Sequence, residues 1–406
     1  MHCDIAIVGG NHSGLALALS LAHLSGGAAR IVVVERGARQ RDAATGDPRA
    51  FAISAASRRL LTRIGAWDRL AASAQEVFEI DITDSSLGDA KRPVLLHYAN
   101  QIPGGEPATH IVPADAIRAA LLGALEAAGD VDLRFGTAVA SWDVQADGVD
   151  LRLDDGSAIR ARLLVAADGG RSAVREAAGI KVLTWGMGQV GIVATIAHEL
   201  PHNGQAVQHF LPAGPFAILP LRGNRSCITW SEEAERGARI VAADDATFLA
   251  EVERRFGHKL GAIRLEGRRG MWPLQMRMAR ALTGVRLALI GDAARTVHPL
   301  AGQGLNLALR DVAALAECVV DAMRLGLEPS DTAALERYAR WRRFDATTSA
   351  ASYAALNVLF SNDSLALRAL RDVGLGVVDR LPGLKQLFVE EAAGVTGELP
   401  SLMRVA

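Results

Sequence analysis

Three runs in this chain set glycines beside acidic or polar residues directly after an apolar stretch, and in the first and third the pattern suits the binding of a dinucleotide. The first is Gly9-Gly10-Asn11-His12-Ser13-Gly14, lying between Ile5–Val8 and the apolar residues Leu15 to Leu24. Glycines there let backbone approach a pyrophosphate, and the helix that follows offers unpaired N–H groups and the positive end of its dipole. Glu35 stands 21 residues beyond Gly14, at the end of a second apolar run, Ile31–Val34. A carboxylate at that point can accept hydrogen bonds from a ribose. Asn11 occupies the place where G-x-G-x-x-G has its middle glycine; asparagine tolerates left-handed backbone better than most residues, so the turn is expected to survive, with its side chain pointing away from the phosphates.

The second run, Ala167-Asp168-Gly169-Gly170-Arg171-Ser172-Ala173-Val174-Arg175, follows the apolar Leu163–Ala166. By spacing alone it reads as a tight turn and a helix capped by Ser172. The third is the longest, from Gly291-Asp292 through Ala293-Ala294-Arg295-Thr296-Val297 to His298-Pro299-Leu300-Ala301-Gly302-Gln303-Gly304-Leu305-Asn306-Leu307. A carboxylate at a strand end suits a ribitol hydroxyl. Small residues would let a planar ring lie against backbone, and a helix opening there can stabilise negative charge on a reduced ring.

The elements that must hold these runs are legible around them. Ile5–Val8, the Leu15–Leu24 helix and Ile31–Val34 form a strand–helix–strand unit of the dinucleotide-binding kind. Residues 36–60 are polar and arginine-rich, long enough to cross a cofactor. Ala114–Ala127 reads as a helix, and Val149–Leu153 and Ala158–Ala166 as strands joined at Asp154-Asp155-Gly156. Between about 180 and 275 the signal becomes short strands (Gly191–Ile196, Ala206–Phe210, Phe216–Pro220, Ser226–Trp230), expected to form an antiparallel sheet. Leu287–Ile290 resumes a buried strand, Leu305–Met323 a long helix, and the chain from Thr332 is mostly helical with a break near Ser361-Asn362-Asp363.

Composition narrows the class. At 406 residues, half of them hydrophobic, the chain calls for two unequal folded domains. A net charge of −1 supplies no global pull toward nucleic acid. The 44 basic residues include only four lysines (Lys91, Lys181, Lys259, Lys385), so an arginine counts as evidence only inside a motif. Cys3, Cys227 and Cys318 are too scattered for a disulfide framework or a metal site, and they suit a reducing compartment. His198, His202 and His209 lack metal spacing. The first strand begins almost at the initiator and no window has the length to span a bilayer, so a cytoplasmic protein is expected.

In this order the three runs resemble the flavin monooxygenases of the para-hydroxybenzoate hydroxylase fold, and the ubiquinone-biosynthesis hydroxylase branch more closely still. The resemblance also rests on Asp47-Pro48-Arg49-Ala50-Phe51-Ala52-Ile53-Ser54, Ile64-Gly65-Ala66-Trp67, Pro201-His202-Asn203-Gly204, Gly214-Pro215-Phe216-Ala217-Ile218-Leu219-Pro220 and Leu359-Phe360-Ser361-Asn362, and so covers nearly the whole chain. It implies an α/β protein: a Rossmann-like FAD-binding domain with an inserted antiparallel-sheet substrate domain and a helical C-terminal region. The corresponding segments are 1–75, 111–180 and 276–345 for FAD binding, 76–110 for substrate-domain strands, 181–275 for the substrate-binding sheet and 346–406 for C-terminal helices.

The resemblance further implies which residues meet FAD. Gly9, Gly10, Ser13 and Gly14 match the pyrophosphate turn and Glu35 the adenosine ribose ligand. Arg49 matches the residue beside the flavin, and Arg118 a phosphate-side contact. Asp292 matches the ribitol ligand, while Pro299, Gly302, Gln303, Gly304, Leu305 and Asn306 belong to the run that lines the isoalloxazine. Asp168 and Gly169 match a motif tied to both FAD and reduced nicotinamide. Arg295 stands where the family often has histidine.

In the implied cycle, NAD(P)H binds transiently and reduces FAD, oxygen adds at the flavin C4a, and the hydroperoxide delivers oxygen to an electron-rich ring, here that of a polyprenylated phenol. Phe216, Ile218, Leu219 and Pro220 are candidate walls of the apolar pocket, with ordinary sheet core as their other reading. No metal and no side-chain catalyst is expected, and His298 is read as structural. The alternatives are a soluble aromatic substrate, or a non-catalytic accessory protein of a ubiquinone-biosynthesis complex. Leu365–Arg371, apolar and basic, could face a membrane, pack on the body of the protein or meet a neighbouring subunit.

Overall fold

Parallel strands buried on both faces need continuous β-branched and apolar sequence, and Ile5–Val8, Ile31–Val34 and Leu163–Ala166 supply it. In the computed structural model, which describes residues 1–39, 46–84, 87, 93–211, 213–297, 303–343 and 382–405, these runs lie side by side. The order is Leu287–Leu289, Ala158–Ala166, His2–Val8, Ile31–Glu35 and Val131–Phe135, every neighbouring pair parallel. Gly148–Leu153 joins as a hairpin partner of Ala158–Ala166, as the Asp154-Asp155-Gly156 turn anticipates. Helices His12–Ser25, Gln303–Arg324 and Ala114–Ala128 pack together beside this sheet. Leu15 to Ala22 are wholly buried, and Gly26, in left-handed backbone, closes the first helix through its N–H to the Ala22 carbonyl.

A second sheet runs Arg295–Thr296, Ile263–Ala279, Val182–His198, Arg225–Glu233, Gly214–Leu221, Gln205–Leu211, Glu79–Asp84, Val94–Ala99. It departs from expectation in three ways. It is not purely antiparallel, since Gln205–Leu211 pairs parallel with Glu79–Asp84, which arrives from the 76–110 segment. Its two longest strands are 17 residues each, where the sequence showed only Gly191–Ile196, because register shifts at Gly186/Val190 and Val193/Thr195 break the alternation that marks a strand. Two helices, Ala234–Ala242 and Asp245–Phe256, cover one face; charged residues masked the four-residue spacing of Phe248, Val252 and Phe256, which pack onto Phe216, Ile218, Ile228 and Trp230.

The sheets meet at a small third sheet of Ala50–Ser54, Thr109–Pro113 and Gln75–Glu76. Ala52 and Ile111 from it join Val193, Ala206, Leu221 and Cys227 of the large sheet in one apolar seam. Among the described residues no helix is long and apolar enough to cross a membrane. The expectations for His298, Pro299, Gly302, Leu359–Asn362 and Leu365–Arg371 lie outside the described residues.

One charged knot ties the third motif to the chain beyond it. Asp311, fully buried on the Gln303–Arg324 helix, accepts from the Gly291 N–H at 3.1 Å, from Arg295 Nη1 at 3.0 Å and from Arg342 Nε at 2.7 Å. Arg342 belongs to the helical residues 332–343, and Tyr338 on the same run donates to the Leu289 carbonyl at 2.7 Å. Arg295 therefore serves as an internal brace. Replacing one member of a buried ionic cluster leaves its partners without their charge complement. Asp311→Ala is expected to lower unfolding stability by about 3–5 kcal/mol, read as a fall in the urea midpoint at unchanged m-value.

Candidate active site

The parallel strands deliver the three motifs to one point, because each motif follows the C-terminal end of a strand and those strands are neighbours. Contact between them is close enough to exclude side chains. A Cβ on Gly9, whose φ is +114°, would lie 2.3 Å from the Ala167 carbonyl oxygen, and one on Gly14 would lie 1.8 Å from the carbonyl of Gly9. The third motif abuts the first where Gly291 meets Ser13: a Cβ there would stand 2.7 Å from the serine Oγ. Arg175, at the end of the second run, ties that run to the third by donating to the carbonyls of Gly170 at 3.0 Å and Ala293 at 2.8 Å.

Glu35 is already oriented. One carboxylate oxygen accepts from the Gly10 N–H at 2.6 Å and the other from the Gly37 N–H at 2.7 Å, which leaves lone pairs on both for ribose hydroxyls. Asn11 does not adopt left-handed backbone. Its φ is −104°, open to any residue, and its side chain caps the helix by accepting from the His12 N–H at 2.9 Å. The turn needs no glycine at that position.

These residues border a cavity of about 300 Å³ lined by Gly10, Asn11, His12, Glu35, Gly37, Ala38, Asp47, Ala114, Asp115 and Arg118. Arg118 makes no hydrogen bond or ion pair among the described residues, so its guanidinium can serve an anion.

Arg49 is held by Asp47, with Nε at 2.9 Å and Nη2 at 2.6 Å from the carboxylate. Burial alone would push the Asp47 carboxyl up, but the hydrogen bonds and charge of Arg49 outweigh it and keep it below its ordinary range. The Arg49 guanidinium lies 5.7 Å from the Phe51 ring centre and 5.1 Å from that of Trp272, across the seam between the sheets.

Asp292 keeps access to solvent inside a concavity. Loss of water around its carboxyl raises it above the usual carboxylate range, against the pull of Arg49, and it makes no hydrogen bond among the described residues. Among the described residues Asp168 accepts only from the Val174 N–H, at 3.2 Å; its other oxygen is buried and unmet by them, as is Thr296 Oγ1. Unmet oxygens at converging strand ends fit a ligand rich in hydroxyls, as the ribityl and ribose parts of FAD are.

Two groups of expected residues divide. Gln303, Gly304, Leu305 and Asn306 open the long helix, yet the Asn306 side chain is committed elsewhere: it accepts from the Ser54 N–H at 3.0 Å and donates to the Ala52 carbonyl at 2.7 Å. It pins the Ala50–Ser54 strand, so a ring beside it would meet backbone and the strand it holds.

Among the pocket candidates, strand alternation separates the faces. Phe216 and Ile218 point to the helix-backed core with Phe248 and Val252, in keeping with the sheet-core reading, and Pro220 shares their side of the strand. Leu219 alone turns to the seam, beside Trp272 and Cys227. Sequence reading passed over Asp47, His12, Thr296, Arg277 (which donates to the Gly170 carbonyl at 3.0 Å) and Trp272. Only Asp47 carried a signal, as the acid two residues before Arg49; the others acquire meaning from neighbours remote in sequence.

Over residues 2–347 the chain matches the FAD binding domain family. Ubiquinone hydroxylase UbiL of Rhodospirillum rubrum is 43% identical over 404 residues, covering 99% of this chain and 92% of that protein. The 3-demethoxyubiquinol 3-hydroxylase of Escherichia coli is 33% identical, covering 97% and 98%. Among solved structures, p-nitrophenol 4-monooxygenase PnpA of Pseudomonas putida superposes with a TM-score of 0.78 at 19% identity, covering 97% of each chain, which speaks to fold alone.

The glycine contacts separate two substitutions that look alike on paper. Gly14→Ala must force the first turn open and should weaken FAD binding more than about tenfold, a loss of at least ~1.4 kcal/mol. Asn11→Gly removes only a cap worth a few tenths of a kcal/mol relative to glycine, and should bind FAD within about twofold of the parent. Quenching of flavin fluorescence on titration of the apoprotein measures both.

Proposed function

The chain belongs to the FAD-binding domain family, and from that premise we propose that it hydroxylates the aromatic ring of a polyprenylated phenol on the route to ubiquinone, consuming NAD(P)H and O2. The observation that carries this reading is the 43% identity, end to end, with a protein named for ubiquinone hydroxylation. FAD, when bound, supplies the redox and oxygen-activating chemistry. Gly9, Gly10, Ser13 and Gly14 present backbone to its pyrophosphate, Glu35 accepts from the ribose, and Asp292 and Asp168 offer carboxylate oxygens toward the ribityl side. Arg49, locked by Asp47, holds a fixed positive charge at the seam where the flavin ring would lie.

The substrate ring would then enter between Arg49 and the large sheet, against Leu219 and Trp272. Apolar neighbours Ala52, Ile111, Val193, Leu221 and Cys227 keep water from that side. Hydroxylation of an electron-rich ring needs orientation and dryness from the protein more than an acid or a base. Reading the chain as an accessory protein without flavin loses its ground, because it rested on Asn11 and the backbone there needs no glycine.

Mass spectrometry of lipid extracts from a strain lacking this gene tests the proposal. Loss of ubiquinone with accumulation of an under-hydroxylated prenylphenol is expected, and re-expression should restore the quinone. An unchanged quinone profile, together with NAD(P)H oxidation stimulated by soluble phenols and not by a short-chain prenylphenol, would overturn it in favour of a soluble aromatic substrate.

A further inference from the structure

His12 is the one ionisable side chain inside the first glycine turn, and nothing in the flavin chemistry above uses it. Its ring is buried, packed edge-on against Phe51 at 5.4 Å, with Nε2 3.0 Å from the Ala114 carbonyl. A carbonyl only accepts, so Nε2 carries the proton and a neutral ring has its lone pair on Nδ1. No described residue hydrogen-bonds Nδ1, which is not sealed from solvent, and His12 lines the cavity shared with Glu35 and Arg118.

The charges facing the ring come from every side. Asp47 and Arg49 lie on the segment leading into Ala50–Ser54, and Asp115 and Arg118 on the helix Ala114–Ala128. Glu35 is across the cavity, and Asp292 stands beyond Arg49. Burial holds the ring below its ordinary value; the Ala114 carbonyl and Asp47 oppose this, while Arg49 and Arg118 add to it. The protein's own groups therefore favour the neutral ring over the charged one.

We propose that His12 is a phosphate-side cofactor contact that takes up a proton as the pyrophosphate of FAD seats on the Gly9–Gly14 turn. This rests on the reading that the pyrophosphate occupies that turn. A doubly charged anion beside Nδ1 would meet a lone pair on a neutral ring and an N–H donor on a protonated one, so the bound state favours the imidazolium. Linkage then fixes the sign. His12 titrates at higher pH in the complex than in the apoprotein, so cofactor affinity is greatest at low pH. Affinity falls, by at most about tenfold per pH unit, as pH rises between the two values. The protein would bind FAD most firmly on the acid side of neutrality.

The apoprotein is titrated with FAD by flavin fluorescence from about pH 5 to 8, and calorimetry in buffers of different ionisation enthalpy counts the protons exchanged. ADP-ribose, which carries the same pyrophosphate with no phosphate titrating in this range, and adenosine, which carries none, serve as probes. The expected result is proton uptake with FAD and with ADP-ribose, none with adenosine, and a flat pH profile for His12→Gln, with about tenfold weaker FAD binding than the parent at the acid end. FAD binding without proton uptake, or uptake that persists in His12→Gln, would overturn the inference and leave the cofactor seat untouched. The parent measurement needs no variant to fold. Failure of ADP-ribose to compete with FAD would instead remove the pyrophosphate from this turn, and the inference with it.

Discussion

Backbone-to-backbone contact at the ends of neighbouring parallel strands is the constraint from which the rest of this molecule follows. Ala167 meets Gly9 and Gly9 meets Gly14 at distances where no Cβ fits, and Gly291 rests on Ser13 under nearly the same restriction. Glycine costs roughly 0.5–1 kcal/mol in regular structure, and the fold accepts it here because bulk would part the three turns. Their contact brings together the three runs that carry or lead to Glu35, Asp168 and Asp292, although 257 residues separate the first carboxylate from the last. Burial disfavours the Asp292 carboxylate. Hydroxyl donors from a ligand and a nearby cation oppose that cost.

That cation is Arg49, and the way it is held links the cofactor side to the substrate side. Asp47 fixes the guanidinium between Phe51 and Trp272, one ring from each body of the protein. The Ala50–Ser54 strand that follows is pinned in turn by Asn306, at the start of the helix that carries Asp311. Asp311 returns to the Gly291 N–H, one residue before Asp292. A continuous set of hydrogen bonds therefore runs from the seam, through the long helix, to the third motif. The arrangement rigidifies the surroundings of a ring that must be placed within a fraction of an ångström.

Legibility in the sequence tracked the range of the interactions involved. The strand–helix–strand unit, the hairpin at Asp154-Asp155-Gly156 and the long helix after Gln303 were readable because their patterns are set by neighbours a few residues away. The two 17-residue strands were not, since register shifts around Gly188 and Ala194 spoil the alternation that a reader counts. The helices between residues 234 and 256 escaped notice because their apolar stripe is narrow and the rest is arginine and glutamate. Phe216 and Leu219 show the same limit in the site: both are apolar, both sit on one strand, and only alternation against a known neighbour says which face each one serves.

By itself the sequence determined the glycine turns, the strand-end acids and the family resemblance, because each depends on residue type at fixed local spacing. Tertiary structure decided three further matters: that Asn11 needs no special backbone, that Asn306 spends its amide on a strand, and that Arg295 is a brace for Asp311. It also decided that His12 turns inward among Arg49, Asp47 and Arg118. The physical reason is common to all four. A side chain's role is set by what stands within a few ångströms of it, and those neighbours come from parts of the chain whose separation in sequence carries no record of the contact.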